Sequence, residues 1–68
     1  MLLAIDVGNT NIVLGVFEGA ALRESWRVGT KLDMTADEHA MVLKDLFGFA
    51  GLSFGQVDGV IISTVVPP

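Results

Sequence analysis

Two apolar runs separated by only four residues open the chain and limit what it can fold into. Residues 1–7 are apolar except for Asp6, and residues 12–17 contain no charged side chain. The connection, residues 8–11, reads Gly-Asn-Thr-Asn. Short apolar runs joined by such turn residues predict a β-hairpin. Because both runs are almost continuously apolar, we expect both strands to be covered on both faces.

A third strand is predicted after a second turn at residues 18–21. From residue 22 to residue 28 apolar and polar side chains alternate, which is typical of a strand with one exposed face. The charged outer face suits a strand at the edge of a sheet. The predicted apolar face carries Leu22, Trp26 and Val28, and the opposite face carries Arg23, Ser25 and Arg27.

A capping sequence predicts one helix. Thr35 is followed three residues later by Glu38, which is the pattern of a capping box. Apolar residues then recur at helical spacing, and Gly51 supplies a C-terminal stop. We therefore predict a helix over residues 36–50. Its apolar face is expected to carry Ala36, Ala40, Leu43, Phe47 and Ala50.

Residues 59–66 predict a fourth strand, because they are rich in β-branched side chains and end before Pro67 and Pro68. Since it follows a helix, this strand should lie parallel to the first and be buried in the sheet. The predicted fold class is α/β, in the order β-β-β-α-β, with a mixed sheet ordered third, second, first, fourth strand.

The composition predicts that part of the apolar surface is covered by something else. Of the 68 residues, 51% are hydrophobic, and the mean hydropathy is +0.63. A domain of this size buries only about 60% of its unfolded surface, and a single helix cannot cover both faces of a sheet. We expect the remaining apolar surface to contact further chain or a partner.

Charge and cysteine content exclude several classes of function. There is no cysteine, which rules out disulfides and thiolate metal sites and favours a reducing compartment. No apolar run approaches the roughly 18 residues that a membrane span needs. The net charge is −4, and the four basic residues are dispersed, unlike a nucleic-acid footprint. We predict a cytoplasmic protein that binds neither membranes nor nucleic acid.

The polar segment Asp6-Val-Gly-Asn-Thr-Asn11 has two interpretations. As a plain turn, Asp6 would begin an Asx-type turn and Gly8 would adopt a positive φ. As a phosphate site, the small residues would let backbone N–H groups converge on an anion, and Asp6 would hold Mg²⁺ through water. The segment is neither a P-loop nor a Rossmann turn, since it lacks both glycine patterns and a strand follows it. Its residues alone leave both interpretations open.

The same segment resembles the first phosphate loop of the acetate and sugar kinase, heat-shock chaperone and actin superfamily. FEGAALRESWRVGT is similar to the second hairpin and Trp-Arg strand of type III pantothenate kinases. TADEHAMVLKDLF and VDGVIISTVVPP are similar to their first helix and fourth strand. The resemblance covers residues 1–68 in order. It implies a partial N-terminal ribonuclease H-like ATPase domain, the incomplete amino-terminal half of an actin-like ATPase domain.

That resemblance implies phosphorylation of pantothenate by ATP to 4′-phosphopantothenate, the first step of coenzyme A biosynthesis. It also implies Mg²⁺, a monovalent cation (K⁺ or NH₄⁺) and a homodimer. Asp6 would serve the metal ion. The nucleotide-binding residues it implies are Asp6, Val7, Gly8, Asn9, Thr10, Asn11, Ile12 and Val13. The family's general base is an aspartate in a Gly-x-Asp-Arg motif that these 68 residues do not contain, so no catalytic residue is predicted and this chain alone should not turn over substrate.

Other polar and aromatic residues are better interpreted as structural. His39 has no second ligand at helical spacing, so we expect it to be solvated. Trp26 is expected in the core or in a dimer surface, and Ser63 and Thr64 are expected to be buried strand hydroxyls rather than ligand contacts. Two alternative functions remain: a non-catalytic accessory protein of the same family, and another member of the actin-like ATPase superfamily.

Overall fold

A four-stranded sheet and one helix make up the computed structural model, which describes residues 1–30 and 33–64. The elements are β1 (Leu2–Val7), β2 (Asn11–Glu18), β3 (Ala21–Gly29), α1 (Ala36–Phe49) and β4 (Gly59–Thr64). The sheet order is β3-β2-β1-β4, and β4 runs parallel to β1. The predicted class, element order and sheet order are confirmed. Residues 31, 32 and 65–68, which include the predicted end of the fourth strand, lie outside the described residues.

The helix lies against one face of the sheet, here called the helix face. The core is small: among the described residues, the buried large apolar side chains are Leu3, Leu14, Val16 and Phe47, of which Val16 and Phe47 are fully buried. The ring of Phe47 lies 5.6 Å from that of Trp26 and 5.1 Å from that of Phe54, measured between centroids. Trp26 is therefore partly buried against the core, which is one of the two places predicted for it.

The opposite face of the sheet, here called the open face, is not covered by any element of the described chain. It carries Ala4, Asp6, Val13, Gly15, Phe17, Leu22, Ser25, Ile61 and Ser63. The expectation that β1 and β2 are covered on both faces is wrong for residues 1–30 and 33–64, because their one helix lies on the other side.

A β-bulge moves Leu22 to the open face. Val16 lies opposite Glu24, but the next residue, Phe17, lies opposite Leu22, so Arg23 is an extra residue in β3. An extra residue reverses which face the following side chains occupy, since side chains alternate along a strand. The prediction that Leu22 shares a face with Trp26 is therefore wrong.

Both ends of α1 are capped by the residues that the sequence indicates. The Glu38 N–H donates to Thr35 Oγ1 over 3.2 Å, and the Thr35 N–H donates to Glu38 Oε1 over 3.0 Å. Gly51 has a φ of 73°, and the N–H of Leu52 donates to the carbonyl of Phe47, as in a Schellman motif. The helix ends at Phe49, one residue before the predicted end.

The buried stripe of α1 differs from the predicted one. Ala36 and Ala40 are exposed, whereas His39 is half-buried and faces the sheet together with Val42 and Leu43. The capping residues fix where the helix starts, but the sheet fixes which side of it is covered. The expectation that His39 is solvated is wrong. Within the described ranges, no helix has the length and apolar character needed to cross a bilayer.

Strand β4 lies at the edge of the sheet and is exposed, contrary to the prediction of burial. Ile61 and Ile62 are 57% and 66% exposed. The strand pairs with β1 on one side only, and α1 extends over the other strands. The strand has the apolar sequence that is typical of a covered strand, but nothing in the described chain covers it. Apolar surface is therefore exposed, as the composition predicts.

Candidate functional site

Asp6 lies at the carboxyl end of β1, on the open face. It is exposed, and its Cα partner in β4 is Ser63. The Ser63 hydroxyl donates to Asp6 Oδ1 over 3.1 Å, whereas Oδ2 has no hydrogen-bond partner among the described residues. The carboxyl ends of parallel strands are where ligands bind in open α/β sheets. Ser63 is therefore exposed beside the candidate site, not buried as predicted.

One cross-strand row continues from this pair over the open face. Asp6 lies opposite Val13 in β2, and Val13 lies opposite Arg27 in β3. Directly opposed residues of neighbouring strands project to the same face. Arg27 forms no ion pair with any other residue in the described ranges. The row thus combines a carboxylate, a hydroxyl and a guanidinium on an otherwise apolar surface.

The connection between β1 and β2 is a tight turn closed by a backbone hydrogen bond. The N–H of Gly8 donates to the carbonyl of Asn11 over 2.9 Å. The expected positive φ at Gly8 is wrong, because the only glycines with positive φ in the described chain are Gly19 and Gly51. A Cβ at Gly8 would lie 3.0 Å from the Asn11 oxygen. Close approach, and not left-handed backbone, is the reason for glycine here.

Thr30, the residue after β3, ties this turn to the sheet. Its N–H donates to the carbonyl of Thr10 over 3.0 Å, and its hydroxyl donates to the carbonyl of Gly8 over 3.1 Å. Together with the bond from the Gly8 N–H to Asn11, these contacts satisfy three of the carbonyls in the turn. The carbonyl side of the turn is thus bound to protein.

The amide side of the same turn is open. The backbone N–H groups of Asn9 and Thr10 have no acceptor among residues 1–30 and 33–64. The side-chain amide of Asn11 donates to the Thr10 hydroxyl over 3.1 Å, which leaves the hydroxyl its own proton to donate. Successive free N–H groups in a turn form an anion-binding concavity. The Gly8 N–H is not part of this set, because the turn uses it.

The donor set beside the turn suits a magnesium ion bound to phosphate and does not suit a metal site made by protein alone. No group of three or more metal-ligating side chains occurs within residues 1–30 and 33–64. Mg²⁺ is usually held by one or two carboxylates, several waters and the phosphates of a substrate. Asp6, with one carboxylate oxygen held and the other open, fits that arrangement.

The remaining residues that the resemblance implied are divided between the two faces. Val13 lies on the open face with Asp6, whereas Val7 and Ile12 line a cavity of about 420 Å³ between the sheet and α1. The structure therefore brings together Asp6, the turn residues and Val13. It places the side chains of Val7 and Ile12 on the other side of the sheet.

Sequence reasoning missed two residues at this site. Ser63 is predicted to be a buried strand hydroxyl, although the predicted parallel pairing of β1 and β4 already brings the two strand ends together. Thr30 belongs to no sequence motif, and only its position directly after β3 could have indicated it. Both contacts depend on strand register, which the residue pattern leaves open.

Comparison with known proteins places the chain in a family. A sequence profile of the type III pantothenate kinase family matches residues 2–68. The chain is 60% identical over 68 residues to a type III pantothenate kinase of Brevibacillus brevis. Its identity is 57% to one of Anaeromyxobacter dehalogenans and 54% to one of Geobacter sulfurreducens. All of this chain is matched, and it spans 27% of the length of each of these relatives. The chain belongs to the type III pantothenate kinase family.

Proposed function

We propose that the protein carrying this sequence transfers the γ-phosphoryl group of ATP to pantothenate, giving 4′-phosphopantothenate. The observation that carries the proposal is the open amide side of the turn, at Asn9 and Thr10, next to the exposed Asp6 carboxylate. Phosphoryl transfer depends mainly on positioning and on neutralising charge, which free N–H donors and a metal-binding carboxylate provide. The membership of a kinase family supports the same reaction.

Within the proposed reaction, this chain binds and orients the nucleotide phosphates. The N–H groups of Asn9 and Thr10 and the Thr10 hydroxyl donate to phosphate oxygens. Asp6 would hold Mg²⁺ through water, and the ion would offset the charge of the phosphates. Ser63 fixes one oxygen of Asp6 and leaves the other for the hydration shell of the metal. No residue of this chain is assigned as the general base.

The wider architecture is proposed on family membership and on the shape of the sheet. We infer that residues 1–68 form part of a ribonuclease H-like, actin-like ATPase domain, whose further elements cover the open face. A requirement for K⁺ or NH₄⁺, a homodimer and a cytoplasmic location follow from the same resemblance. The apolar open face and the exposed strand β4 support the expectation of additional covering structure.

A direct assay of the full-length protein tests this function. We expect ADP and phosphopantothenate to form together from ATP and pantothenate, as measured by a coupled ADP assay and by mass spectrometry. Product formation should require Mg²⁺. Replacing pantothenate with acetate or glucose should abolish ADP formation, which separates this proposal from other kinases of the superfamily. Absence of ADP formation with pantothenate, in a folded protein, would favour the accessory role.

The close packing around Gly8 provides a second test, in which the affinity for ATP is measured. A Cβ at Gly8 would crowd the Asn11 carbonyl, whose position the turn hydrogen bond fixes. We expect Gly8→Ala to displace the turn by a few tenths of an ångström and to raise the Kd for ATP about tenfold, equivalent to about 1.4 kcal/mol. Isothermal titration of the full-length protein with ATP and Mg²⁺ measures this change.

Gly48→Ala is the matched control for that substitution. Gly48 lies in α1, and an added Cβ there meets no atom within 4 Å. Alanine is favoured over glycine in a helix by up to about 1 kcal/mol, so this variant should be slightly more stable and should bind ATP as the unchanged protein does. Equal affinities for ATP in the two variants would contradict a role for the turn in binding.

A further inference from the structure

We propose that Thr30 is a positioning residue for nucleotide phosphates, because it holds the turn at residues 8–10 so that the amide groups face the ligand. This inference rests on the proposed function. Thr30 lies 22 positions from Gly8 in the sequence, yet it makes two hydrogen bonds to the turn, one from its hydroxyl and one from its N–H. No described hydrogen bond links Thr30 to any other part of the chain.

The planarity of the peptide unit connects these contacts to the free donors. In a trans peptide the carbonyl of one residue and the N–H of the next lie in one plane and point in opposite directions. No peptide bond in the described chain is cis. The carbonyl of Gly8 shares its peptide unit with the N–H of Asn9. Holding that carbonyl toward Thr30 therefore directs the Asn9 N–H away from the protein.

The second contact holds the turn at a further point along the chain. The carbonyl of Thr10 shares its peptide unit with the N–H of Asn11, and the Thr30 N–H binds that carbonyl over 3.0 Å. Thr30 thus sets the direction of the free Asn9 N–H and holds the peptide unit that follows the free N–H of Thr10. Its own hydroxyl donates to Gly8, so it acts on the ligand through the turn and not by contact.

A hydroxyl is required for the side-chain contact, and this makes the inference testable. Valine has nearly the same shape as threonine but cannot donate, whereas serine retains the donor. In Thr30→Val the N–H contact to Thr10 remains, and only the peptide unit between Gly8 and Asn9 is released. A donor that must be reoriented at each binding event contributes less to affinity than one already in place.

The test measures equilibrium binding of ATP with Mg²⁺ to the full-length protein by calorimetry, together with kcat and both KM values. We expect Thr30→Val to raise the Kd and the KM for ATP about tenfold, with the KM for pantothenate unchanged. Thr30→Ser should stay within about twofold of the unchanged protein in all of these. Thr35→Val, which removes the hydroxyl that caps α1, should lower Tm without changing the Kd for ATP.

Two results would overturn the inference while leaving the proposed function intact. One is a Thr30→Val variant that loses stability but binds ATP as tightly as the unchanged protein. The other is a Thr30→Ser variant that loses as much affinity for ATP as Thr30→Val, because the hydroxyl would then not matter. A large loss of affinity in Thr30→Ser would overturn the inference even if the valine variant folds poorly. Failure of the unchanged protein to bind ATP would overturn the proposed function, and this inference with it.

Discussion

Replacing Asp6 with asparagine is expected to lower kcat/KM for ATP in the full-length protein by at least about 100-fold, which corresponds to roughly 2.7 kcal/mol of transition-state stabilisation. Asparagine keeps the size of the side chain and an oxygen that accepts from the Ser63 hydroxyl, so the fold should be retained. It removes the negative charge that is proposed to hold Mg²⁺ near the phosphates. Activity measured over a range of Mg²⁺ concentrations, with Tm alongside, tests this.

The control for the charge change is Asp45→Asn. Asp45 is exposed on α1, away from the turn, and the substitution alters net charge by the same amount. We expect it to leave the Mg²⁺ dependence unchanged. If Asp6→Asn is as active as Asp45→Asn at every Mg²⁺ concentration, Asp6 does not serve the metal, and the segment from Asp6 to Asn11 is a structural turn.

The largest expected effect on stability comes from Phe47→Ala. The side chain of Phe47 is 1% exposed and joins the helix to the sheet through Trp26 and to the segment before β4 through Phe54. Truncating a buried phenylalanine to alanine costs about 3–5 kcal/mol, which is a large part of the 5–15 kcal/mol by which typical domains are stable. Urea denaturation of the full-length protein, followed by tryptophan fluorescence, should show a clearly lower midpoint.

Phe49→Ala makes the same chemical change on the same helix. Phe49 is 91% exposed, so its truncation should change the free energy of unfolding by no more than about 0.5 kcal/mol. The difference between the two variants isolates burial, since side-chain size and helix propensity are matched. Equal destabilisation by both would contradict the assignment of Phe47 as the residue that anchors α1.

Local patterns predicted the elements well because local physics determines them. The capping pair Thr35 and Glu38 starts α1 where expected, and Gly51 ends it within one residue of the predicted position. The alternation of side chains identified β3. The wrong predictions concern which face of an element a side chain occupies. The extra residue Arg23 places Leu22 on the opposite face of the sheet, and His39 faces the sheet instead of solvent. Neither a β-bulge nor the angle at which a helix packs on a sheet can be recognised from the local sequence.

The candidate site shows the same division between residue type and geometry. The polar segment alone predicted a turn that could bind phosphate, and it identified Asp6 as the carboxylate beside it. It also attributed a positive φ to Gly8, where the structure shows close approach to Asn11. The contribution of Thr30 was not foreseen, because it depends on how β2 pairs with β3.

The amino-acid sequence is enough to establish the order of the elements, the order of the strands, the capping of the helix and the family, since each depends on residue types at short spacing or on similarity along the whole chain. Which amide groups of the turn are free, and which residues hold the turn in place, became known only from the three-dimensional structure. Thr30 and Ser63 reach the site through strand register, which is set by hydrogen bonding between segments far apart in the chain. A register shift of one residue would move either side chain to the opposite face, and no local pattern encodes that choice.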